Sequence, residues 1–218
     1  MNKKLIVVAT AALAILVFLM GLYLYNGKKG QDSAKAVQSN PQSLVRAHSP
    51  VFGNPEAKVT IVEFFDPACE ACRAFYPFVK TIVNSSFGRV KLVLRYAAFH
   101  KGSDDAVKVL EAAKIQNLYW PVLEAILKSQ PIWASHDKPQ PELIWDLIKD
   151  TGIDIAKAQA DARDPGIRKT LEIDSADVEA LKVTRTPGFF VNGKPLADFG
   201  IDQLKALVDR EVAANYGQ

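Results

Sequence analysis

At 218 residues the chain is long enough for one domain with a substantial core, or for a domain with an appendage. Its 27 Lys and Arg against 24 Asp and Glu leave a formal charge of +3, and even that surplus is local: without Lys3, Lys4, Lys28 and Lys29, which flank one apolar segment, 23 basic residues face 24 acidic ones. A chain so nearly neutral gives no electrostatic case for nucleic acid.

The first predicted element is that apolar segment, Leu5 to Tyr25, which runs 21 residues without a charge and ends in the Tyr23 and Tyr25 pair. About 20 helical residues cross the hydrocarbon of a bilayer, whereas the core of a secretory signal usually has about 7–15. Length favours an uncleaved transmembrane anchor over residues 1–25. The competing reading is a cleaved signal, for which Ala34-Lys35-Ala36 offers an A-x-A-like site well beyond the apolar run. Lys28 and Lys29 oppose Lys3 and Lys4 in setting orientation, and export of the C-terminal part is the better reading. Residues 26–47, rich in Gly, Ser, Gln, Asn and Lys and lacking apolar periodicity, read as a flexible tether.

"KVTIVEFF" is β-branched and aromatic, is bounded by Asn54-Pro55 and Asp66-Pro67, and reads as a buried strand. A helix is expected from about Cys69 to Asn84, then a second strand in "RVKLVLRYAAF" with Val90, Leu92, Leu94 and Tyr96 on one face. The period then changes. Ala106, Val109, Leu110 and Ala113 recur at helical spacing, as do Leu143, Ile144, Leu147 and Ile148, and four or five helices with no convincing strand are expected over about 104–182. "GFFVNGKPLADF" carries a hairpin signal at Asn192-Gly193, and Ile201, Leu204, Leu207, Val208 and Val212 mark a closing amphipathic helix. The order implies a mixed α/β layer fold with an all-helical insertion.

Cys69 and Cys72 are the only cysteines, three residues apart. A bridge closing so short a loop removes only about 2 kcal/mol of unfolded-state entropy, against about 3 for a fifteen-residue loop, so stapling is a poor motive. Redox chemistry, metal binding and coincidence, with the cysteines idle in a binding module, remain. With Cys69 at a helix start, the unpaired N–H groups and the macrodipole favour its thiolate, making it the attacking sulfur and Cys72, one turn further in, the resolving one. Glu70 and Ala71 between them are the expected redox-tuning positions, where the Glu70 carboxylate opposes a neighbouring thiolate; Glu70 also reads simply as a solvated first-turn acid. Two thiolates could instead hold copper(I), but the chain's two methionines, Met1 and Met20, lie outside the exported part. The three histidines, His48, His100 and His136, are scattered and, without a third cysteine, supply no closed zinc site. They read as structural or exposed, and Trp120, Trp133 and Trp145 as packing residues.

"VTIVEFFDPACEACRAFYP", "TRTPGFFVNGKPL" and the helical block between them resemble the DsbA-type branch of the thioredoxin superfamily, over roughly residues 48–214. The resemblance implies a thioredoxin-like domain over 48–218 and a protein thiol:disulfide oxidoreductase needing no cofactor and no metal. It implies a cis-proline at Pro187, with Thr186 offering backbone groups to a substrate strand. It matches Glu63 to an acid the family buries beneath the disulfide, where a raised pKa would let it relay the proton of Cys72; the alternative is an edge-strand glutamate reaching water. The implied partners are exported proteins with thiols or disulfides, and a membrane redox partner, either a quinone-linked reoxidase or a thiol donor. A monomer is expected, at the outer side of a bacterial inner membrane. Glu70-Ala71 replaces the Pro-His of the well-known oxidase, so oxidation is favoured over reduction or isomerisation only by the form of the helical block and by a tether too short for the extra dimerisation domain of the isomerases.

Overall fold

A computed structural model describes residues 3–217; the first two residues of the unit read as 1–25, and the last of the unit read as 48–218, lie outside them. Strands β1 (Val51–Gly53), β2 (Val59–Phe65), β3 (Val90–Tyr96), β4 (Gly188–Val191) and β5 (Lys194–Pro195) form one sheet in the order β1-β3-β2-β4-β5. Only β2 and β3 are parallel, as the helix between them requires; the other neighbours are antiparallel. β2 is therefore central, and six of its seven residues are buried.

Alternation along β2 distributes its side chains to two cores. Ile61 and Phe65 join Leu92 and Leu94 of β3 against α2 (Glu70–Asn84), the helical block, and the last helix. Val62 and Phe64 face the other way, against Val93, Phe190, Val178 and Leu181. The block comprises α3 (Ser103–Ile115), α4 (Tyr119–Trp133), α5 (Ile144–Leu147), α6 (Ile155–Asp161) and α7 (Pro165–Ala180), and α8 (Ile201–Tyr216) closes the domain. Asp154 and Asp164 start α6 and α7 by accepting the N–H groups of Lys157 and Gly166. Trp133 is fully buried, its indole N–H donating to the Ile126 carbonyl at 3.1 Å.

The expected tether is corrected. The apolar helix does not stop at Tyr25, and α1 runs unbroken from Lys3 to Ser39. Once a helix exists each further residue adds a hydrogen bond without a new nucleation cost, and here tertiary packing assists. Ala36 and Val37 are buried, and Val37 joins Leu44 in the second core beside Phe190. The break comes only at Asn40-Pro41.

A buried ionic cluster ties α7 to the sheet. Arg95 of β3, wholly buried, donates to Asp174 Oδ1 at 2.7 Å, to Asp177 Oδ2 at 2.6 Å and to the Ser43 carbonyl, with Phe64 beneath its guanidinium. Arg46 adds a bidentate pair to Asp177, and His48 Nε2 lies 2.6 Å from Asp174. Burial alone would raise both acids, but the bonds from His48 and Arg95 hold Asp174 below its ordinary value, and those from Arg46, Ser43 and Arg95 hold Asp177 down at about 2.

Candidate active site

The C-terminal end of β2 feeds the loop 66–69, and Cys69 is the N-cap of α2 with extended backbone, one residue ahead of the helical run. Its sulfur therefore faces the first N–H groups of the helix. Phe64 pairs with Gly188, so the start of β4 lies at this same end of the sheet, bringing the cis Thr186-Pro187 bond beside the cysteines. Cys69 Sγ lies 3.4 Å from the Thr186 carbonyl, and the Asp66 N–H points at Cys72 Sγ at 3.5 Å. Both thiols are free; Cys69 retains 6% exposure and Cys72 none.

That asymmetry sets the electrostatics. The Cys69 thiol is drawn down to about 5, chiefly by its hydrogen bond with Cys72; burial works against this, while Thr186 and the N–H groups of Cys72 and Ala71 add to it. Cys72 is pushed well above the usual thiol range, first by burial, then by the bond to Cys69 and by Glu63. At neutral pH the outer sulfur is an anion and the inner one a thiol.

Glu63 is fully buried in β2, not at an edge, and faces the core that holds both cysteines. Among the described residues neither of its carboxyl oxygens has a hydrogen-bond partner. Burial lifts it to about 8, with the Cys69 charge adding to the shift. The structure thus gathers Cys69, Cys72, Glu63, Thr186 and Pro187 at one end of the sheet. Ala71 takes part through its backbone N–H. Glu70 points to solvent, with His136 Nε2 3.7 Å away.

Two side chains not singled out by the sequence, Asp66 and Gln130, build the loop together with His100, which the sequence alone presents as structural or exposed. Asp66, wholly buried, accepts the N–H groups of Ala68 at 2.8 Å, Phe99 at 2.7 Å and His100 at 3.0 Å, and also bonds the Ser103 hydroxyl. The ring of His100 completes the set, Nδ1 lying 2.7 Å from Asp66, so this histidine is a bracing group at the edge of the site. Gln130 of α4 donates to the carbonyls of Pro67 at 2.7 Å and Cys69 at 3.0 Å. The Asp66-Pro67 pair reads locally as a turn, which conceals the contacts across 33 to 63 residues.

Such an arrangement can carry thiol–disulfide exchange: an outer thiolate as nucleophile, a buried thiol as its mate, and a proton-holding acid below. The comparisons agree. The sequence model of the thioredoxin family matches residues 46–210. A probable disulfide bond formation protein D of Bacillus anthracis is 28% identical over 222 residues, covering 97% of each chain. Among solved structures, a thioredoxin-like oxidoreductase from Silicibacter pomeroyi superposes with a TM-score of 0.67 at 29% identity, over 78% of this chain and 95% of that one. Oxidised BdbD from Bacillus subtilis does so with a TM-score of 0.66 at 27% identity, over 76% and 93%. The chain belongs to the thioredoxin family and is, within it, a DsbA-like thiol:disulfide oxidoreductase.

Proposed function

We propose that the protein donates disulfides to exported proteins through Cys69 and Cys72, as a monomer held by residues 5–25 at the outer face of a bacterial inner membrane. The length and hydropathy of the N-terminal helix support the anchor. In the oxidised enzyme a substrate thiolate attacks Cys69, and the electron pair of the broken bond leaves on Cys72. Glu63, protonated at neutral pH, gives Cys72 its proton and takes another from solvent before the cycle closes. A second substrate thiolate attacks the substrate sulfur of the mixed disulfide and expels Cys69 as a stable anion. Two electrons pass to the pair, and a membrane redox partner, a quinone-linked reoxidase, takes them away.

The observation that carries oxidation over reduction is the Cys69 thiol held at about 5. At pH 7 this stabilises the reduced form about a hundredfold, equivalent to about 60 mV toward an oxidant. Equilibration with glutathione buffers tests it: a potential near −120 mV is that of a strong oxidant, and one near −270 mV would reverse the proposed direction. The pH dependence is a separate prediction. Above about pH 5 the reduced pair holds one proton, so the potential falls by about 30 mV per pH unit, steepening to about 60 mV below it. A slope of about 60 mV throughout would mean two ordinary thiols.

Glu63→Gln separates the relay from a structural role. Exchange is expected to slow by on the order of 10²-fold, the usual loss for a positioned acid, and to lose its inflection near pH 8. Stability moves the other way. A carboxyl raised to about 8 destabilises the fold progressively as pH climbs above the ordinary carboxylate value, so the amide gains on the order of 3 kcal/mol at pH 7. Unchanged rates across the pH range would remove the relay.

A further inference from the structure

The direction of α1 along the sheet decides which end of the domain meets the membrane. Its C-terminal part packs at the β4–β5 turn, where Val37 Cγ1 would stand 3.5 Å from a Cβ on Gly193. Seven residues earlier Gly30 lies against Ala197, close enough that a methyl there would approach the Ala197 Cβ to 3.1 Å. Tyr25, five residues before Gly30, and Ser33, three after it, line one cleft with Arg185 and Phe189, and a second cleft with Lys28, Lys182 and Thr184.

From Val37 back to Tyr25 the helix thus runs from the hairpin turn toward the start of β4, about 18 Å of rise. The start of β4 is the end that carries Thr186, Pro187 and Cys69. Tyr25 is also the last residue of the apolar run, and aromatic rings of this kind lie at the membrane–water boundary. Exposed cations surround the point of emergence: Lys28, Lys182 and Arg185, with Asp32 the one acid lining the clefts.

We propose that α1 is a rigid mount that turns the sulfur-bearing end of the domain toward the lipid headgroups, with Lys28, Lys182 and Arg185 against their phosphates, so that Cys69 works beside the membrane surface. The occupant of this face is the bilayer itself, because the helix that packs beside it continues into the apolar span. The inference rests on the anchored reading of residues 5–25.

The test uses the full chain in vesicles of phosphatidylethanolamine and phosphatidylglycerol, a fraction of whose lipids carry a nitroxide on the headgroup. In Cys72→Ser a bimane fluorophore is placed on Cys69; in Cys69→Ser, Cys72→Ser, Glu56→Cys it is placed on the exposed position before β2, at the opposite end of a strand about 20 Å long. The label on Cys69 is expected to be quenched several-fold more strongly. A flexible Gly-Ser run inserted between Gly27 and Lys28 is expected to abolish that difference while the chain stays in the vesicles. Release of the chain by alkaline carbonate would overturn the anchor and the orientation together. Retention with equal quenching at the two ends would overturn the orientation alone and leave the cationic face to a protein partner, whereas a difference that survives the insertion would overturn the mount, the domain then being turned by its own face and not by α1.

Discussion

Cys69→Ser is expected to abolish exchange, lowering the rate by several orders of magnitude, because the only sulfur with both exposure and anionic character is lost. Cys72→Ser has a different outcome: Cys69 still attacks, but nothing resolves the adduct, and mixed disulfides accumulate on Cys69. Mass mapping after an acid quench distinguishes the two, and adducts found on Cys72 would reverse the proposed roles. In the reduced wild-type protein, alkylation by iodoacetamide should modify Cys69 alone at neutral pH. Its rate should rise about tenfold per pH unit up to about pH 5 and level off above it, since only the thiolate reacts. Both thiols alkylating with the profile of free cysteine would defeat the proposed mechanism.

Arg95→Leu should cost about 3–5 kcal/mol of stability, read from the urea midpoint, the usual penalty for removing one partner of a buried ion pair. Asp174 keeps only His48 and a backbone N–H, and Asp177 only its bonds toward Arg46 and Ser43. Changing Asp174 and Asp177 to asparagine in the same chain should recover part of the loss, because no buried carboxylate is then left short of a partner. The sign of the acid dependence follows from the same contacts. Both acids are depressed, so the stability they contribute is present above the ordinary carboxylate pKa and lost as pH falls, for Asp177 through about 2. The variant should lose less stability between pH 4 and pH 2 than the wild type. A midpoint unmoved by Arg95→Leu would show that the cluster holds nothing together.

The sequence announces what is local. Strand period and boundary prolines place β2, the three-residue cysteine spacing places the start of α2, and Asn192-Gly193 places the hairpin. The candidate site was legible because its residues lie at the ends of strongly patterned elements, and the positions of Glu63 and Thr186 came from the family resemblance. What stayed hidden depends on distance. Arg95 occupies the alternate face of a strand, where a charge ordinarily suggests water, and only the folding of α7 onto that face buries it. The end of α1 has the composition of a linker, and packing on the hairpin makes it a helix. β1 is three residues long and exists through its pairing with β3. His136 comes next to Glu70 from 66 residues away, an imidazole neighbour that the dipeptide itself lacks.

The loop before Cys69 has its polar groups already occupied: Asp66 is filled from α3 and the chain just ahead of it, and Gln130 holds two carbonyls. On the role the family resemblance implies for Thr186, an arriving polypeptide docks beside the sulfur as bare backbone. Selection then acts on how far a client has matured and not on which residues it displays: a nascent chain is served at once, while a cysteine already enclosed in finished architecture is passed over.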